Sequence, residues 1–301
     1  MSLLVTGSIG IDTVHTPFGK RDSLLGGSAV YFSYAASFFV PVRLVGVVGD
    51  DCPDTLLDVF AGRDVDTSGV ECRKGSKTFR WHGSYIKNMN EAVTERVDLN
   101  VLAEGTATIP QKFHDSKYLF LANTHPRLQR DMLQSLDNIP HLVVADTMNL
   151  WIETERAELL KTLAVIQGLV LNDGEARLLT QKQNLISAAK DVLAMGPKFV
   201  VIKKGEHGSL LVTEKEVFVL PAYPAEKVVD PTGAGDTFAG GMMGYLATQG
   251  NVSPATLKRA LAFGTVVASF TISDFSLDGL KATTRAQIDA RWDHFKQAMS
   301  F

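Results

Sequence analysis

The sequence predicts an α/β protein: a mostly parallel sheet between helices, with a small second sheet inserted. Three observations carry this. A short strand-like run at 3–6 and continuously apolar runs at 118–121 and 142–145 have the composition of buried strands. Apolar helical runs at 29–39 and 238–248 lie among these runs. From 77 to 102 the pattern changes to period two, the mark of strands with one dry and one wet face.

Taken in order, the first strand, 3–6, ends in the glycine turn Gly7-Ser8-Ile9-Gly10. That turn lacks the G-x-G-x-x-G spacing of a dinucleotide site. Asp12 follows just beyond the carboxyl end of a core strand, where open α/β sheets bind ligands. Gly26-Gly27 then opens the run at 29–39 and permits close approach of a ligand to backbone, with Ser28 as the cap. A second strand, 42–48, leads to Gly49-Asp50-Asp51, and the acidic pair is expected to cap a helix over 53–61.

Within 77–102, Phe79, Trp81 and Tyr85 share one face, while Thr78, Arg80, His82 and Ser84 share the other. Val97, Leu99 and Val101 alternate with Asp98 and Asn100, which predicts another strand. Together with about 11–25 these strands predict a lid whose apolar face is covered by substrate or by a second copy of itself. Arg80, Trp81 and His82 are its substrate-side candidates.

The strands at 118–121 and 142–145 end in Asn123-Thr124-His125 and Asp146-Thr147-Met148-Asn149, again at the ligand-binding edge. A strand at 169–171 precedes Asn172-Asp173-Gly174-Glu175, which in isolation is a capping box. The strand at 199–202 ends in Lys203-Lys204-Gly205-Glu206-His207-Gly208 and turns back into 209–212. A lysine here offsets phosphate charge, and the two lysines face opposite sides. A helix over 254–271, rich in small residues, and an amphipathic helix over 284–299 complete the chain.

Composition sets the outer bounds. The 301 residues are 45% hydrophobic, enough for one large core, and the formal charge is −3. No basic patch suggests nucleic acid or an anionic membrane. Two cysteines without a histidine cluster suit a reducing cytoplasm, and no apolar run has transmembrane length.

Residues 228–241, V-V-D-P-T-G-A-G-D-T-F-A-G-G, are the most informative stretch. Glycines at a loop-to-helix junction expose unpaired N–H groups at the positive end of a helix, an anion site most often filled by phosphate. Asp236 repels phosphate unless it has a task there, and the task that fits is general base on a hydroxyl. The helix start favours its ionised form, so it is expected to be a weak base.

The string D-P-T-G-A-G-D-T-F closely resembles the C-terminal signature of the PfkB/ribokinase family of carbohydrate and nucleoside kinases, and the resemblance extends from Gly7 to about Asp278. It implies a ribokinase-like three-layer α/β/α sandwich, 1–301 as one domain, and a β-sheet lid that forms a homodimer. Asp12, Gly26 and Gly27 match the family's sugar contacts. The motif's asparagine falls on Tyr31, and the acid that some members place near Asn123 and Thr124 is absent, so the substrate differs from ribose or is larger and partly aromatic. Asn172 and Glu175 match the segment that orders Mg²⁺ and phosphate, Glu175 mainly through water. Lys203, Gly205 and Gly208 match a nucleotide-lining segment, and Thr265 aligns with a residue beside the adenine. Asp230 and Thr232 match residues that help bind K⁺. The implied activity is ATP-dependent phosphorylation of a sugar or sugar-like hydroxyl. Gly233, Ala234 and Gly235 hold the γ-phosphate and Asp236 takes the proton. The alternatives are an adenosine-type nucleoside kinase, a hydroxymethylpyrimidine kinase on a related fold, and a sensor that binds without phosphorylating. Asp236 argues against the last, because a pure binder has no use for a carboxylate among phosphate donors.

Overall fold

The computed structural model describes residues 2–86 and 88–300, with Asp54 described by its backbone alone. Lys87, inside the period-two segment, lies outside the described residues. The strands are β1 (Leu3–Thr6), β2 (Gly10–Thr16), β3 (Gly19–Gly26), β4 (Val42–Gly49), β5 (Val65–Arg73), β6 (Phe79–Ser84), β7 (Val93–Asp98), β8 (Tyr118–Leu121), β9 (Leu142–Asp146), β10 (Gly168–Asn172), β11 (Phe199–Lys203), β12 (Ser209–Thr213) and β13 (Val217–Leu220). The helices are α1 (Ser28–Ala36), α2 (Pro126–Gln134), α3 (Asn149–Thr154), α4 (Arg156–Leu163), α5 (Asp173–Thr180), α6 (Leu185–Ala194), α7 (Ala234–Gln249), α8 (Pro254–Thr271), α9 (Asp278–Lys281) and α10 (Arg285–Ala298).

The large sheet has the order β13-β12-β11-β10-β9-β8-β1-β4-β5. From β5 to β11 all pairs are parallel, and β12 and β13 add an antiparallel edge through short turns. Alternation along each strand divides the core into two layers. Val5, Phe120, Val144 and Val201 belong to one cluster with α1, α7 and α8; Leu4, Leu119, Val143 and Val200 belong to the other with α4, α5 and α6. Both faces are covered, which is why the runs are continuously apolar.

α7 is buried on nearly every side because it lies between α1 and α8. Its glycines set those distances. A Cβ on Gly240 would strike the Phe32 carbonyl of α1, and one on Gly241 would lie 3.1 Å from Val267 of α8. Below α1, Phe32 stacks on Phe120 of β8, centroids 4.4 Å apart. Such a pair is worth about 0.5–1.5 kcal/mol beyond its buried area.

The second sheet has the order β3-β2-β6-β7, with β2 and β6 parallel and the outer pairs antiparallel. Several local expectations need correction. α7 begins at Ala234, two residues before Asp236, because Gly233 takes the left-handed conformation (φ 73°) that starts it. Gly27, not Ser28, sits at the α1 cap. The last lid strand is 93–98, and Leu99 and Val101 fall in or beside a short 3₁₀ turn at Asn100–Glu104. Asp50 and Asp51 do not cap the 3₁₀ segment Asp54–Phe60, whose cap position is Pro53 without a side-chain bond. Instead they clasp the approach to β6. Asp50 accepts from Gly75 N–H (2.8 Å), and Asp51 accepts from Thr78 N–H (2.6 Å) and the Arg80 guanidinium (2.7 Å).

Candidate active site

The carboxyl ends of β1, β8 and β9, the start of α7 and the second sheet enclose a cleft of about 750 Å³. Asp12, Gly27, Tyr31, Asn123, Gly233 and Asp236 line it, as does Thr232. The second sheet and the residue after β6 contribute Phe79, Trp81 and Tyr85, the face that alternation had grouped. Arg80 turns away to Asp51. The opposite wall holds His125, Met148, Trp151 and Glu155, residues that sequence reasoning left unassigned. Their only signal was position, in or beyond the segments that follow β8 and β9.

Two loops are laced together to place Asp12 and α1. Ser28 N–H donates to Ser8 Oγ (2.9 Å), the two hydroxyls lie 3.0 Å apart, and Ala29 N–H donates to the Ser8 carbonyl (3.1 Å). Gly27 has φ 97°, and a side chain there would collide with that same carbonyl. The Gly27 backbone N–H favours the charged form of Asp12, while Asp12 Oδ1 is buried without a partner among the described residues. A buried unpaired acceptor aimed at a cleft is satisfied by a hydroxyl donor.

Tyr31 joins the acceptor side to the anion loop. It is 2% exposed, and its ring fills the space over Gly233 that a Cβ would need. Its phenol stands amid Asp12, Asp230 and Asp236, so burial and these charges raise its pKa well above the usual value. Asn123 lines the cleft, but its side chain is committed: Oδ1 accepts from the Trp151 indole (2.9 Å) and Nδ2 contacts Met148 Sδ (3.1 Å). It therefore orients the wall.

α7 starts with no side-chain cap, leaving its first turn open to an anion. Beside it, Lys203 Nζ is 2.6 Å from where a Cβ on Gly235 would stand, so Lys203 rather than Lys204 serves this loop. The charge of that ammonium acts on Asp146, Glu175 and Asp236. Burial pushes Asp236 up to about 6, with Lys203 and the residue's own backbone N–H pulling the other way. Desolvation thus outweighs the helix start, and Asp236 is a better base than its position alone predicts. Burial, then the charges of Asp236 and Asp230, pushes Asp12 up to about 8. Burial also takes Glu175 up to about 7 and raises Asp146 far above the carboxylate range, Lys203 opposing both. Asp146 Oδ1 is buried and unpartnered among the described residues.

Asn172 and Glu175 form a complete capping box at α5, each side chain accepting the other's backbone N–H at 2.7 Å. This leaves Glu175 Oε1 for other work. The donor set suits Mg²⁺: Glu175 and Asp146 offer hard carboxyl oxygens that a bound cation would keep ionised, yet no three His, Cys, Asp or Glu among the described residues close into an all-protein cage. An ion that keeps most of its waters matches that arrangement. Asp230 is fully buried, with Oδ1 accepting from Thr232 N–H (2.9 Å) and Oδ2 from Ser276 N–H (3.0 Å). Each oxygen keeps a lone pair, while the Thr232 hydroxyl turns toward Tyr85 (3.4 Å). Gly205, at φ 54°, has Asn90 of the lid connection in the place of its missing side chain, and Gly208 packs on the Leu220 carbonyl. Thr265 is buried within α8. None of Asn172, Glu175, Lys203, Gly205, Gly208 and Thr265 lines the cleft.

An α/β sheet that gathers a carboxylate base, an open helix start and a lysine at its strand ends has the parts of a phosphotransferase acting on an alcohol. A family profile described as pfkB family carbohydrate kinase matches residues 23–282, and the chain belongs to that family. A cytidine kinase from Thermococcus kodakarensis is 32% identical over 253 residues, covering 81% of this chain and 88% of that protein. A nucleoside kinase from Burkholderia thailandensis, solved with inosine, superposes with a TM-score of 0.76 at 20% identity, covering 99% of each chain. A candidate ribokinase II from E. coli, solved with ATP and Mg²⁺, gives 0.77 at 18% identity, covering 97% of this chain and 99% of that one. The fold is therefore the ribokinase-like sandwich with a smaller separate sheet.

Proposed function

We propose that this kinase phosphorylates a sugar hydroxyl of a nucleoside, using ATP and Mg²⁺. The observation that carries the reading is the shape and lining of the cleft: it joins Asp12 and Asp236 to an aromatic region containing Phe79, Trp81 and Trp151. A free sugar needs the Asp12 end alone. A nucleoside also gives Trp81 and Trp151 a flat ring to pack against. The similarity to a cytidine kinase over most of both chains supports this.

Phosphoryl transfer needs alignment and charge stabilisation more than covalent help from the protein. Asp12 accepts from hydroxyls of the sugar and sets its position. Ionised Asp236 takes the proton of the attacking hydroxyl as the new oxygen–phosphorus bond forms and the bond to the ADP oxygen breaks. Backbone N–H groups of Gly233, Ala234, Gly235 and Asp236 hold the phosphoryl oxygens, and Lys203 neutralises charge beside them. Asn172, Gly205, Gly208 and Thr265 form the nucleotide side. Glu175, mainly through water, and Asp146 would hold Mg²⁺, which would supply charge neutralisation at the phosphates.

We also infer a K⁺ site at Asp230 and Thr232; equal rates in K⁺ and in a bulky organic cation contradict it. Residues 1–301 act as one domain, with the β2-β3-β6-β7 sheet as lid. Phe18, Ile86 and Val93, exposed in and beside the lid sheet, fit burial in a homodimer, which light scattering tests. No helix among the described residues is long and apolar enough to cross a membrane, and we place the enzyme in the cytoplasm. The functional test is substrate-dependent ADP release across a panel of nucleosides, pentoses and hexoses. Turnover confined to nucleosides is the expected result, and turnover confined to free sugars overturns the reading.

A further inference from the structure

We infer that Glu155 reads the nucleobase: its carboxylate accepts the exocyclic amino group of an amino-substituted base, favouring such nucleosides over their oxo counterparts. The inference rests on the nucleoside reading above.

Glu155 lines the cleft on the same wall as His125, Met148 and Trp151. It belongs to the wall built from the segments after β8 and β9, whereas Asp236 stands at the start of α7. Its backbone is fixed at the junction of α3 and α4: its N–H donates to the Trp151 carbonyl and its carbonyl accepts from Leu159 N–H, both at 2.9 Å. A residue locked between two helices presents its side chain from a rigid base.

The side chain is oriented as well. His125 Nδ1 accepts from Arg127 N–H (3.2 Å), so the proton of the neutral ring sits on Nε2. Nε2 lies 3.4 Å from Glu155 Oε2, so the carboxylate sits beside the imidazole edge. Glu155 Oε1 has no partner among the described residues, and the side chain remains partly open. Beside it is a fixed aromatic surface, since Trp151 is anchored on Asn123 and its ring meets His125 at 5.3 Å.

An ionised carboxylate only accepts hydrogen bonds. An amino group on a base packed along Trp151 donates to Oε1, as carboxylates do with the cytosine amine. An oxo group in the same place sets lone pair against lone pair. Sites built to pair one polar group discriminate strongly against an analogue that leaves it unpaired.

The experiment measures kcat/KM for the matched pairs cytidine/uridine and adenosine/inosine, in the wild type and in Glu155→Gln. The ratio within a pair is insensitive to the folded fraction, which scales both members alike. We expect the wild type to prefer the amino member of at least one pair by ~10- to 100-fold, the range for a charge-assisted bond. In Glu155→Gln, whose amide both donates and accepts, that preference should fall to within about threefold of unity. A wild type that turns over nucleosides without an amino preference, or a variant whose ratio matches the wild type, overturns the assignment and leaves the nucleoside reading standing. Turnover of free sugars alone overturns both.

Discussion

The Asp12 carboxylate occupies the space that a side chain at residue 26 would need: a Cβ built on Gly26 collides with all three atoms of the carboxylate group. β2 and β3 pair directly beside this point, Gly10 opposite Gly26, so the glycine gives Asp12 its rotamer. Gly26→Ala is expected to raise the acceptor KM by ~10-fold or more through misplacement of the reacting hydroxyl, with the ATP KM changed less than about twofold. Steady-state kinetics with each substrate varied in turn checks this, and an unchanged acceptor KM contradicts it.

Gly233 answers to two constraints at once, its φ of 73° and the Tyr31 ring above it. A β-carbon in the left-handed conformation costs roughly 1–2 kcal/mol before any clash. Gly233→Ala should therefore lower Tm by about 2 °C or more and depress turnover, because the start of α7 is displaced. Thermal unfolding alongside kinetics tests both.

The carboxylate cluster makes the enzyme sensitive to pH in two opposite ways. Asp236 must be ionised to act, so turnover should rise with pH through about 6. Lys203 holds that value down, and Lys203→Met should move the acidic limb of the pH–rate profile upward. Stability runs the other way. Asp12 (about 8), Glu175 (about 7) and Asp236 (about 6) bind protons more tightly folded than unfolded. Their contribution is fully present below about pH 4, the unfolded value, and is lost as pH rises through 6 to 8. Tm of the ligand-free enzyme should fall over that interval, and Asp12→Asn should flatten the fall.

The residues proposed for the phosphate side lie in short local segments, which is why the sequence points to them. The run 230–238 folds as one loop and helix start, and 172–175 and 203–208 each lie within one turn of chain. The fold class was legible as well, since buried parallel strands such as 118–121 and 142–145 announce themselves as apolar runs. β5 went unseen because V-D-T-S-G-V-E-C-R is a half-exposed edge strand with no such run. The Asp12–Gly26 fit, the Tyr31–Gly233 contact and the choice of Lys203 over Lys204 depend on chain crossing in space. Period two cannot show them. The wall of His125, Trp151 and Glu155 draws on two different connections, so only the assembled sheet brings it together. The helix-start argument gave the wrong sign for Asp236 because burial is a property of the whole cleft.

The clasp of Asp51 on Thr78 and Arg80 ties the lid to the end of β4. Asp51→Ala should leave kcat within about threefold while raising the acceptor KM several-fold, since lid placement governs acceptor binding. Amide hydrogen exchange should rise in 79–84 with the main sheet unaffected. A variant with wild-type acceptor KM and exchange contradicts the clasp.

The central claim is that Asp236 removes the proton of the accepting hydroxyl. The most direct measurement is single-turnover phosphoryl transfer by Asp236→Asn, with ATP and nucleoside binding followed by calorimetry. The account predicts both ligands bound at near wild-type affinity and a rate reduced by ~10²-fold or more. A rate near that of the wild type contradicts it.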